Sequence, residues 1–203
     1  MNEHGDHRPA GTSSRFAHGC GVAGARVVTT EFETTGPPIT AADVDDFEAA
    51  IGSPLPADYK HFLLTVNGGI PTASDVNEPT QRIVGIVGFF SLAVPSGELS
   101  MQEALRTWRN RYPGWMLPVA LCQESCLLLL TLNGDHEGDV VYWDHDAESD
   151  GASPTTENLS HVADSFTELL DALHDWDPRQ DPRYRDIAGG TGTGDPDFIP
   201  TFD

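Results

Sequence analysis

The sequence predicts an α+β domain: a mixed, mainly antiparallel sheet flanked by N-terminal helices and a C-terminal helix. Three observations carry this expectation. Two capped amphipathic helices occupy residues 40–67, three short apolar strands separated by turn signals occupy residues 117–143, and helical apolar spacing returns after residue 162. Helices at both ends of a strand cluster define that class.

The first helix starts where Thr40 caps and Asp43 completes a capping box, with Ile39 placed to staple onto Val44. Val44, Phe47 and Ile51 then share one face, and Gly52 with Ser53-Pro54 ends the helix. The second begins at Pro56, where a missing N–H is tolerated, and aligns Tyr59, Phe62, Leu63 and Val66 before Asn67-Gly68-Gly69 stops it. Double glycine after a helix reads first as a C-cap with positive φ, and secondarily as a backbone turn able to meet a ligand. Residues 72–80 read as a polar loop, and residues 83–90 as an irregular strand interrupted by two glycines. Ser100 and Glu103 form the signature of a second capping box for a helix from Met101 to about Arg111, closed by Tyr112-Pro113-Gly114.

Strands are expected at residues 117–121, 127–132 and 140–143, with turns at Gln123-Glu124-Ser125 and Asn133-Gly134-Asp135. Tyr142 and Trp143 are neighbours on a strand and point to opposite faces, so one is expected in the core and the other partly exposed. The last helix is expected from about Ala163 to Asp175, with Val162, Phe166, Leu169, Leu170 and Leu173 on one face. The domain organisation that follows is a mostly disordered tail over residues 1–36 with a possible edge strand at 26–32, one binding domain at 37–188, and a flexible tail at 189–203.

The 203 residues carry 11 Lys and Arg against 32 Asp and Glu, a formal net charge of −21. Phosphate recognition needs concentrated cationic side chains, so nucleic-acid binding is excluded as an expectation. From Asp135 to Asp177 there are thirteen Asp or Glu residues and no Lys or Arg. Such a run is either a solvated face that keeps the chain soluble or an electrostatic footprint for a basic partner. No signal-peptide core and no long apolar run is present, and the three cysteines form no disulfide framework. The expectation is therefore a soluble cytoplasmic protein that binds no membrane.

Several constellations resemble sites without completing one. Asp146, Glu148, Asp150, Gly151 and Glu157 fall at calcium-loop positions 1, 3, 5, 6 and 12. A strand rather than a helix precedes them, and Ser153 stands at the usually apolar position 8, so an acidic hairpin loop is expected. His4, His7, His18 and Cys20 match no structural zinc spacing, and Cys122 with Cys126 lacks further ligands, so these two read as buried or half-buried thiols. His61, His136, His145, His161 and His174 are available as bases, but none stands in a recognisable nucleophile elbow, phosphate loop or metalloprotease helix. His145, between Asp144 and Asp146, suits a partner-facing position as well as a catalytic one. No catalytic residue, metal or cofactor is expected.

Leu55-Pro56-Ala57-Asp58-Tyr59-Lys60-His61-Phe62-Leu63-Leu64-Thr65-Val66-Asn67-Gly68-Gly69 resembles the signature of the SUKH superfamily. Gly138-Asp139-Val140-Val141-Tyr142-Trp143-Asp144-His145-Asp146, then Asn158-Leu159 and Ser165-Phe166-Thr167-Glu168-Leu169-Leu170, resemble the later half of the same domain. The resemblance covers roughly residues 36–176. It departs at Gln123-Glu124-Ser125, where relatives usually carry an acidic, glycine-containing turn. In the Smi/Knr-type branch it implies a non-enzymatic α+β binding domain, most often an immunity protein that occludes a cognate toxin; the alternative is an adaptor or regulatory scaffold for a cellular protein partner. A nuclease or nucleic-acid-modifying toxin offers a basic cleft, which an acidic inhibitor complements. The expected partner-binding residues are Asp135, Glu137, Asp139, Asp144, Asp146, Glu148 and Asp150, which crowd the turns around one strand. Residues 1–26 and 189–203 show no pattern able to bury apolar surface, so deleting both is expected to leave a cooperative thermal transition near the full-length temperature. Loss of the transition contradicts these boundaries.

Overall fold

The computed structural model describes residues 30–78, 83–148 and 153–177. Their elements are, in chain order, β1 Phe32–Thr35, α1 Ala41–Ile51, α2 Ala57–Thr65, β2 Gly69–Pro71, β3 Asp75–Asn77, β4 Ile83–Phe89, α3 Met101–Thr107, β5 Met116–Cys122, β6 Leu127–Thr131, β7 Val140–Trp143, β8 Leu159–Ala163 and α4 Phe166–Asp171. The sheet runs β1-β2-β4-β5-β6-β7-β8, with β3 paired to β4 beside this path. The α+β class is as expected, but every pairing between named strands is antiparallel rather than mixed. No helix among the described residues is long and apolar enough to cross a membrane.

Local signals set the helix ends. Thr40 accepts from Asp43 N while the Asp43 carboxylate accepts from Thr40 N at 2.7 Å, so the box on α1 is complete. Gly52 closes that helix at φ 74°. Glu48 then joins α1 to α2: its Oε1 accepts the Leu55 N–H and pairs with Lys60 Nζ at 2.8 Å. On α3 the box is half formed. Ser100 Oγ accepts from Glu103 N, but the Glu103 carboxylate turns to Gly97 N and Arg106.

The sheet is buried on both faces at its centre. All five residues of β6 are buried, as are six of the seven in β5. Phe89 packs against Phe62 of α2 and Phe166 of α4, whereas its neighbour Phe90 packs against Trp108 at the end of α3. Successive strand residues alternate faces, so α2 and α4 cover one face and α3 the other. Tyr59, Phe62, Phe89 and Phe166 are each 0% exposed and form one aromatic cluster, edge-to-face between Tyr59 and Phe166 and between Phe89 and both Phe62 and Phe166, extended by Phe32. Two-sided cover also explains why Tyr142 and Trp143 are both buried, against the expectation that one is partly exposed.

Other expectations shift. Residues 159–163 form β8, paired to β7, and its last two residues, Val162 and Ala163, are those expected to open the last helix. Ser165 caps the real helix, accepting from Glu168 N at 3.1 Å, and α4 is only six residues long. A free edge of β7 recruits Leu159–Ala163 as a strand, and that pairing overrides the local period. Residues 75–77, expected as loop, make a short strand on β4. The edge strand lies at Phe32–Thr35 rather than at residues 26–32, inside the segment expected to be mostly tail; residues 26–29 lie outside the described residues, as do both tails beyond them. Helix α3 ends at Thr107 instead of near Arg111, and Asn110 at φ 63° turns the chain. The turn over Gln123-Glu124-Ser125 holds Glu124 and Ser125 both at positive φ, 59° and 63°. Two consecutive left-handed residues make it a tight I′-like hairpin without the glycine such turns favour.

At the end of α2, Asn67 is 1% exposed and left-handed at φ 57°. Its Nδ2 donates to Pro37 O at 2.6 Å and Leu92 O at 2.9 Å, and its Oδ1 accepts from Leu92 N at 2.9 Å. Gly68 and Gly69 follow at φ 77° and 114°, and a Cβ on Gly69 falls 2.0 Å from Thr34 O. No other residue type fits there.

Phe62→Ala and Phe166→Ala are each expected to cost about 3–5 kcal/mol, because both empty a close-packed aromatic cluster. Denaturant titration checks this, and a loss below about 1 kcal/mol at either site contradicts it. Asn67→Gly keeps the left-handed backbone but leaves buried Leu92 groups unpaired, an expected loss of about 2–4 kcal/mol. Asn67→Ala is expected to cost about 1–2 kcal/mol more, from the backbone alone. Equal stabilities for the two variants show that the conformation of residue 67 carries no cost.

Candidate functional site

Strand register places Met116 opposite Thr131 and Val141 opposite His161. With Trp115 and Thr156, these four line a groove of about 650 Å³ across β5 to β8. It lies on the α3 side of the sheet, because Val141 and Trp143 share a face and Trp143 packs under Tyr112 and Arg111 of the segment after α3. That segment covers Trp143 completely and stops there. Two residues along, Val141 is only partly buried, and Trp115 at 46% exposure stands at the edge of the opening. The volume is in the range of ligand or side-chain pockets.

The β6–β7 turn supplies the acidic edge. Asp135 and Asp139 line the groove, and Glu137 is exposed in the same turn. Backbone bonds fix this turn: Asp139 N donates to His136 O at 3.1 Å and Thr131 N donates to Asp139 O at 2.9 Å. His136 Nδ1 lies 2.9 Å from Asp139 Oδ2, and His161 Nε2 lies 3.8 Å from the same oxygen and 3.0 Å from Asp164 Oδ1.

The other predicted residues lie at the opposite end of β7. Glu148 pairs with Arg111, whose guanidinium carbon also sits 5.2 Å above the Trp143 ring. Asp144 Oδ1 accepts from Asp146 N at 3.1 Å and lies 3.9 Å from Cys126 Sγ. These contacts give Asp144 and Glu148 work inside the fold. Asp146 is exposed beside His145, at 3.2 Å from its Nε2, and Asp150 lies outside the described residues. The seven carboxylates are therefore not one cluster: the fold brings Asp135 and Asp139 to the groove with Glu137 nearby, and separates Asp144, Asp146 and Glu148 from them.

Trp115, Met116, Thr131, Val141 and Thr156 were not legible as site residues, since only pairing across four strands assembles them. Trp115 alone carried a signal, an aromatic residue between the Pro113-Gly114 turn and the next strand.

Cys126 Sγ lies 3.5 Å from His145 Nδ1, a pairing that in an open cleft activates a nucleophile. Here Cys126 is 0% exposed, which closes it to a substrate. Burial, with the nearby Cys126, pushes the Cys122 thiol far above its ordinary range, so it stays protonated. Both cysteines are thus buried and free, as expected. What the groove offers chemically is apolar floor, one exposed indole and carboxylates drawn from a stretch that contains no Lys or Arg.

Comparison with known proteins identifies the family. The chain is similar to the SPbeta prophage-derived uncharacterized protein YokK of Bacillus subtilis (strain 168), at 23% identity over 154 residues, covering 67% of this chain and 75% of that protein. Residues 38–172 match the model of the SMI1/KNR4 family (SUKH-1). That match spans the chain from the entry of α1 through α4, and the chain belongs to the SMI1/KNR4 family (SUKH-1).

Proposed function

We propose that this chain is a non-enzymatic immunity protein that binds a cognate protein toxin in the cytoplasm and occludes its active site through the groove beneath Trp115. One observation carries the reading: an apolar floor and an exposed indole are rimmed by Asp135 and Asp139, drawn from a stretch of sequence without Lys or Arg. A surface of this kind complements a basic side chain, because the indole face and the carboxylates both attract a guanidinium or ammonium group. A toxin that acts on nucleic acid must present such cations in its own cleft, so an inhibitor carrying the opposite charge gains both steering and register. Membership of the SMI1/KNR4 family supports a binding role of this type.

The test measures association of the purified chain with the purified product of the gene immediately upstream of its own, where this reading expects the toxin to be encoded, across a range of salt. Changing Asp135→Asn, Glu137→Gln and Asp139→Asn together is expected to slow association about tenfold at low salt and flatten the salt dependence. Trp115→Ala is expected to speed dissociation by tenfold or more, as for a central aromatic anchor. Asp45→Asn with Asp46→Asn, on the exposed face of α1, serves as the control for net charge alone. Wild-type rates in both groove variants overturn the groove as the interface. Absence of any complex with the wild-type chain overturns the immunity reading itself.

A further inference from the structure

We propose that Asp139, His161 and Asp164 form a binding site for a divalent transition-metal ion of the zinc type at the rim of the groove. The sequence gives no hint of it, since Asp139 and His161 stand 22 positions apart and no ligand-spacing pattern links them. Folding makes the site. The β7–β8 ladder pairs Val140 with Ala163 and Val141 with His161, which draws the residue before β7 alongside the end of β8.

The donor atoms suit one ion. One ligand atom from each of the three residues lies within 4.8 Å of the others. A zinc-like ion with bonds of about 2.1 Å holds tetrahedral donors about 3.4 Å apart. His161 Nε2 stands 3.0 Å from Asp164 Oδ1 and 3.8 Å from Asp139 Oδ2, either side of that separation.

The ligands also stand on supported positions. Asp139 is held by backbone bonds on both sides, and His136 Nδ1 at 2.9 Å from its Oδ2 orients the carboxylate as an outer hydrogen-bonding partner does in metal sites. His161 lies within a paired strand, and Asp164 N donates to Glu168 Oε2 at 3.0 Å beside the cap of α4. One imidazole with two carboxylates favours Zn²⁺, Co²⁺ or Ni²⁺ over Ca²⁺ and Mg²⁺, which take all-oxygen shells. Asp139 and His161 also line the groove, so an ion held there borders the proposed toxin interface. The metal proposal does not depend on that interface and is tested without a partner.

The experiment titrates the full chain with Zn²⁺ and Co²⁺ by calorimetry, and follows Co²⁺ broadening of backbone amide resonances by NMR. Residues 139–141 and 159–164 are expected to broaden first. Asp139→Asn and His161→Gln are each expected to weaken the tightest Zn²⁺ event by at least tenfold. His145→Gln, which alters a different histidine–carboxylate pair, is expected to leave that event unchanged. This comparison also separates the site from His4, His7 and His18 near the N-terminus, which the variants do not touch. If Co²⁺ broadening spares residues 139–141 and 159–164 in the wild-type chain, or if Asp139→Asn and His161→Gln both bind Zn²⁺ as the wild type does, these side chains form only an ion-pair network and the proposal is wrong.

Discussion

Three hydrogen bonds from the Asn67 carboxamide tie the end of α2 to Pro37, before α1, and to Leu92, after β4. Almost everything else hangs on that junction. Gly36 N donates to Gly68 O, Gly69 pairs with Thr35 of β1 and Phe89 of β4, and Met101 at the start of α3 donates back to Ser91 O. A buried amide of this kind is costly when half satisfied and specifying when fully satisfied, because the interior offers its donors and acceptors no water. Positive φ at three successive residues lets the chain leave a helix and enter a sheet within one turn.

From that junction the two faces of the sheet are treated differently. The α2 and α4 face is closed by an aromatic cluster, with Asp58 Oδ2 accepting from Thr167 N at 2.9 Å to join the two helices. The opposite face is closed only as far as α3 and the segment behind it reach. Arg111 marks the limit: it spans the Trp143 ring and the Glu148 carboxylate, sealing the covered half. Beyond it the same face continues as the groove under Trp115. The early end of α3 frees Arg111 to act as a clasp and leaves the strands past Trp143 uncovered.

The carboxylates divide along the same line. At the clasp end Glu148 is held by Arg111, Asp144 accepts a backbone N–H and Asp146 stands beside His145, whereas at the groove end the close neighbours of Asp139 and Asp164 are His136 and His161. Lys and Arg are scarce in this chain, 11 against 32 Asp and Glu, and none falls between Asp135 and Asp177, so the groove-rim carboxylates suit a cation brought by a partner.

The sequence by itself determined what short-range chemistry controls. The Thr40–Asp43 box, the stop at Gly52, the helix through Phe62, the glycines after Asn67 and the strands at β5, β6 and β7 are each written within a few neighbouring residues. Family resemblance rested on those same segments. Tertiary structure alone decided that residues 159–163 are a strand, since no local signal marks Leu159–His161 and the helical spacing that begins at Val162 yields to the non-local pairing with β7. It likewise decided the site. Fourteen residues of acidic turn and strand look uniform from Asp135 to Glu148, but an antiparallel strand between two turns sends their carboxylates to opposite ends. One end meets Arg111, and the other meets an open face assembled from four strands whose register no local signal encodes.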